Sequence, residues 1–245
     1  MRKTIGLAVN LALLGLSLAT YAQNKEDKDE IRSDSYRIQG SGNVITKDVA
    51  VQPFDQLQAS GVFSVVLSQG AKEAVKIKAD DNLQQLFEVK NEGSKLIVSM
   101  KKDTHFDSKE KMTVYVTFKN LKSIDLKMVG NVTSEGNLSF SNLSLDNSSV
   151  GSVDLALNAD KLDIKNKSVG SLKLKGKADN AVIKSNSVGS IKAAELVVQT
   201  MDIDNDGVGS AEVNAAKELK VKESFLGKVR NAGSATAKRI NKVVI

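Results

Sequence analysis

The chain has no cysteine and no tryptophan, one histidine and one proline, and aromatic residues make up only 4% of it. Without cysteine there is no disulfide, no lipid-modified N-terminal cysteine and no thiol nucleophile. An exported product must therefore hold together by packing alone. Zinc lacks Cys and His ligands. His105 sits in a polar loop with Asp103 and Asp107 nearby, and no motif fixes a serine beside it, so a nucleophilic triad lacks its parts. The shortage of aromatics argues against a compact enzyme pocket or a glycan-stacking platform. "GSGNV" (40–44) has neither the lysine of a phosphate-binding loop nor the full dinucleotide fingerprint.

What remains is rich in Val, Ile, Leu, Ser, Asn, Lys and Gly, which favours strands. The 245 residues are 41% hydrophobic, enough for a sizeable core in one or two domains. Residues 1–22 have the form of an export signal: "MRK", the apolar "TIGLAVNLALLGLSLA", then "TYA" before Gln23. The apolar stretch is too short and wrongly flanked for a stable span, so no transmembrane segment is expected after cleavage. Cleavage removes Arg2 and Lys3 and leaves 33 basic against 29 acidic residues, a net charge of +4. These charges alternate in sign, unlike the clustered basic stripe of a nucleic-acid binder.

Residues 23–35, "QNKEDKDEIRSDS", read as a charged flexible spacer. From residue 36 a β-helical domain is expected to run to 245, less regular over 36–120 and repetitive over 121–245. In the first half "GVFSVVLSQG", "AVKIKA", "KLIVSM" and "KMTVYVTF" read as strands. "DDNLQQLFEV" (80–89) suggests one short helical turn, and 101–111 a polar loop.

In the second half Val-Gly-Ser recurs. Aligned on glycine, the chain gives a column of Gly130, Gly151, Gly170, Gly189, Gly209 and Gly227, at intervals of 21, 19, 19, 20 and 18 residues. The same alignment stacks Ile124, Leu145, Ile164, Ile183, Ile203 and Val221. Two places later stand Leu126, Asn147, Asn166, Ser185, Asn205 and Glu223. Units of 19–20 residues with alternating apolar positions stack as a parallel β-helix, each turn pairing with the next at about 4.8 Å. The glycines are expected at sharp bends. The Asn/Ser column is expected to form a ladder bonding from turn to turn. A drifting interval with one glycine per turn points to a right-handed helix rather than a left-handed one with fixed eighteen-residue coils.

"GSGNVITKDVAVQPFDQLQASGVFSVVLSQG" (40–70), "VKIKADDNLQQLFEVKNEGSKLIVSMKK" and "KMTVYVTFKNLKSIDLKMVGNV" closely resemble the head GIN domain family of exported Gram-negative proteins, which carries an autotransporter-adhesin label. The similarity runs from about Tyr36 to Ile245. It implies a right-handed β-helix shaped like pectin lyases, without their catalytic residues, and a role in adhesion or carbohydrate contact in the periplasm or at the outer surface. After Gly227 only "KVRNAGSATAKRINKVVI" follows, too short for a membrane barrel, so self-secretion is not expected.

One motif points to a metal. "DIDNDG" places Asp202, Asp204 and Asp206 as at the start of a calcium loop, but position 12 is Val213 where a bidentate Glu belongs. As a strand, Asp202, Asp204 and Asp206 face outward, and the repeat alignment places Lys184 and Lys222 of the neighbouring turns on either side of Asp204, a surface charge ladder. The ladder is the favoured reading, with no metal, cofactor or catalytic residue assigned. The expected function is non-enzymatic: an adhesin-like module contacting a polysaccharide or another envelope protein. A polysaccharide lyase or hydrolase on the same scaffold is the alternative, and needs carboxylates converging in a groove. A structural envelope protein is the third reading.

Overall fold

The computed structural model of the protein describes residues 37–240. The export signal at 1–22 and the spacer at 23–35 lie outside the described residues. Strands are numbered in chain order. β1 (Arg37–Gln39) pairs in parallel with β8 (His105–Asp107), and these two form a small unit of their own. His105 lies opposite Arg37 in that pair, so the stretch read as a polar loop carries a short strand.

The main unit opens with β2 (Val44–Val49), β3 (Gln56–Val62), β4 (Ser64–Gln69), β5 (Ala74–Asp80), a 3-10 helix (Asp81–Leu86), β6 (Phe87–Glu92), β7 (Lys95–Met100) and β9 (Thr113–Phe118). The run expected as one strand at 61–70 is two, broken at Phe63. It continues with β10 (Ser123–Val129), β11 (Val132–Glu135) and β12 (Leu138–Asn147). The long strands β13 (Val153–Asn166), β14 (Leu172–Ser185), β15 (Ile191–Asn205) and β16 (Ala211–Glu223) follow, then β17 (Val229–Asn231) and β18 (Ala237–Arg239). Stacked parallel strands make a β-solenoid of about six turns. The first half mixes in antiparallel pairs: β2 with β5, β5 with β9, and β6 with β7. Among the described residues no helix is long and apolar enough to cross a membrane.

The registers carry one aliphatic column through the unit: Leu96, Leu57, Ile124, Leu145, Ile164, Ile183, Ile203 and Val221 pair in that order. All eight are buried, and their burial is the main favourable contribution to the fold. The next inward column is apolar at Val98, Ala59 and Leu126, then polar at Asn147, Asn166, Ser185, Asn205 and Glu223. The twenty-residue interval is absorbed by a bulge, where the register shifts between Lys173/Lys192 and Lys175/Glu195.

Each turn bends at two kinds of place. At the Val-Gly-Ser bend, which reads Val-Gly-Asn in its first turn, Gly130, Gly151, Gly170, Gly189 and Gly209 have φ between 135° and 149°. A Cβ on Gly189 would stand 2.0 Å from the carbonyl oxygen of Gly170, and one on Gly170 2.1 Å from that of Gly151. The glycines thus stack backbone on backbone. Gly227 differs: it is not at positive φ, and a Cβ there would meet the Asn205 carbonyl oxygen at 2.3 Å. The second bend lies within the long strands. There two successive residues are exposed, as at Ser141-Asn142, Asp160-Lys161 and Asp179-Asn180. Side chains in a strand alternate faces, so this doublet resets the phase and keeps both arms of the turn apolar inward.

Candidate ligand-binding groove

The first residues of the doublets, Ser141, Asp160 and Asp179, line an open groove. Two adjoining clefts, of about 550 and 560 Å³, share Asn120, Ser139, Phe140 and Ser141. The first runs on across the turns past Asn158 and Asp160 to Lys177 and Asp179. The second reaches Asp55, Glu73 and Lys122.

The groove has a fixed floor and rim. Phe140, nearly buried, stacks on Phe118 with ring centroids 5.7 Å apart. The Gln69 amide clamps the rim: Nε2 donates to the Ser139 and Lys119 carbonyl oxygens at 3.1 Å, and Oε1 accepts from the Ser139 N–H at 2.8 Å. At the far end Lys122 Nζ lies 2.7 Å from Asp55 Oδ2. That ammonium, with the Ser94 hydroxyl, holds the Asp55 carboxyl below its ordinary value.

Register sets the spacing of the polar groups. Ser139, Asn158 and Lys177 pair in one column, and Asn142, Lys161 and Asn180 in another. Asp160 and Asp179 occupy the same bend position one turn apart. Amide, hydroxyl, ammonium and carboxylate groups thus repeat at about 4.8 Å along the groove. Such a surface offers both donors and acceptors to a ligand with many hydroxyl groups.

The residues singled out in the sequence lie elsewhere. Asp204 sits between Lys184 and Lys222 in the register, and Lys222 Nζ is 3.5 Å from its Oδ2. Asp202 lies opposite Lys220, and Asp206 follows the end of β15. Among the described residues no three His, Asp or Glu gather in a group able to hold a metal ion.

Sequence reasoning missed both the groove and a second feature. The valines of the Val-Gly-Ser bends point outward. Val129, Val150, Val169, Val188 and Val208 bridge in order from turn to turn, with Val62 before them and Leu226 in line after Val208. All seven are 47–59% exposed. Their recurrence at the glycine spacing was visible, but an aliphatic residue flanking a bend reads equally well as core.

A family model described as "Putative auto-transporter adhesin, head GIN domain" matches residues 53–235. A crystal structure named as a putative adhesin, from Bacteroides fragilis, is 30% identical. It aligns with a TM-score of 0.71 over 83% of this chain and 100% of that one. One named as a putative lipid binding protein, from Parabacteroides distasonis, shares the fold at 17% identity and a TM-score of 0.64, over 84% of this chain and 96% of that one. One named as a putative adhesin, from Parabacteroides merdae, shares it at 21% identity and 0.54, over 84% and 96%. No curated protein matches the chain.

Proposed function

The chain belongs to the head GIN domain family, and we propose that it is an exported binding protein of the cell envelope that holds a polysaccharide along the bend groove without cutting it. An extracellular or envelope setting and an adhesin-like, non-enzymatic role accord with the family and with the Bacteroides fragilis neighbour. The observation that carries the reading is the groove's periodicity. Ser139, Asn158 and Lys177 present hydrogen-bonding groups at the pitch of the solenoid. A polymer lying across the turns meets the same kind of group again and again, and many weak contacts add up along its length.

One arrangement favours the enzyme reading: Asp160 and Asp179, two carboxylates one turn apart in the groove. A reducing-sugar assay over a panel of soluble polysaccharides separates the two. Binding with no new reducing ends is the expected result. Release of reducing ends that stops on Asp160→Asn or Asp179→Asn would replace the binding reading with a hydrolase or lyase.

A further inference from the structure

We propose that the outward valine row is the interface of a homodimer, in which a second copy of this chain packs face to face on it and runs in the opposite direction. The proposal is independent of the groove.

The row extends from Val62 to Leu226, seven positions at about 4.8 Å, or roughly 29 Å. With each member about half exposed, it offers on the order of 500 Å² of contiguous apolar surface, near the upper end of what a monomer leaves bare. Together with the flanking glycine and serine rows, a facing copy covers an area approaching the roughly 800 Å² per partner of a standard interface.

Shape selects the second copy. An isologous contact uses one patch twice, so the patch must match its own image. Side chains that mesh with this row must repeat at its pitch, which another copy does by construction. One flank is small and uncharged over the middle turns, with Ser152, Ser171, Ser190 and Ser210, and ends in Lys228 beside Leu226. The other carries Lys127 toward the first turns and Asp206 toward the last. A two-fold axis at Val169 overlays all seven positions, sets Val129 against Val208 and puts Lys127 across from Asp206. Lys167 meets its own image at the axis, where its long exposed side chain can turn to solvent.

The absence of native cysteine makes the test direct. Sedimentation equilibrium of the purified protein at micromolar concentration should give twice the chain mass. Val150→Glu combined with Val188→Glu should return it to one chain mass with the β-sheet circular dichroism retained. Oxidised Val169→Cys should form a covalent dimer, and Val182→Cys, 37% exposed on β14, should not. This arm does not depend on the glutamate variant folding. A monomeric wild type, or Val169→Cys that cross-links no faster than Val182→Cys, overturns the proposal. So does a monomer that binds phosphatidylcholine vesicles through the row, which would make a lipid surface the partner.

Discussion

Asn147 donates from Nδ2 to Oδ1 of Asn166, one turn along, at 2.9 Å, and both residues are only 1% exposed. Asn166 passes the pattern on, donating from its own Nδ2 to Ser187 Oγ at 3.1 Å. Within each turn Ser149 donates to Asn147 and Ser168 to Asn166. A buried amide without partners is costly, so these bonds penalise any slip of one turn against the next. The ladder changes partners at Asn205, whose Nδ2 donates to the backbone oxygens of Gly209 and Gly227.

A double-mutant cycle on this pair tests the ladder. Asn166→Ala takes the partner from the Asn147 Nδ2 and from the Ser168 hydroxyl, while Ser187 keeps its bond to Ser185, and should cost about 2–4 kcal/mol. Asn147→Ala should cost less, and the pair should couple by about 1–2 kcal/mol in urea melts. Coupling under about 0.3 kcal/mol would mean that the two amides act separately.

Gly189→Val should be among the most damaging single changes. It adds positive-φ strain of about 1–3 kcal/mol to a clash with the Gly170 backbone, which cannot swing aside as a side chain could. Ile183→Ala opens a cavity between Ile164 and Ile203 and should cost about 2–5 kcal/mol. Denaturant midpoints check both. A Gly189→Val protein as stable as wild type would contradict the stacked-glycine bend.

The columns through Ile183 and Asn166 were legible because both face inward, and a single register aligns them over all the regular turns. The glycine spacing was legible for the same reason. The valine row was hidden because Val169 looks the same in sequence whether its bend turns it in or out. The groove was hidden because its bend position holds Ser141, then Asp160 and Asp179, so chemistry varies where geometry repeats. β1 and β8 are three residues each, too short for any period to register. The first-half strands were visible, but not the antiparallel pairing of β5 with β2 and β9, which depends on partners distant in sequence.

Glu223 ends the inward polar column and predicts an acid limb. Burial pushes its carboxyl up. The Val229 N–H at 2.7 Å, the Arg239 guanidinium at 2.6 Å and nearby Lys228 outweigh that and hold it below its ordinary 4.5. A carboxyl depressed in the fold stabilises above its unfolded value, and that contribution is lost as the pH falls through the folded value. Glu223→Gln should therefore cost about 1–3 kcal/mol at neutral pH, and the gap to wild type should narrow as the pH falls below about 4.5. Urea midpoints across this range check it. A gap unchanged in acid would assign the loss to packing rather than charge.

The most direct measurement of polysaccharide holding in the bend groove is a polysaccharide array probed with wild type and with the combined variant Asn158→Ala, Asp160→Ala, Lys177→Ala. All three positions are surface residues in the groove, and the variant should melt close to wild type. Wild type should bind at least one polysaccharide, and the variant should lose at least tenfold in affinity for it, about 1.4 kcal/mol. Equal binding by the two proteins, or none by wild type across the array, would contradict the groove as the binding site.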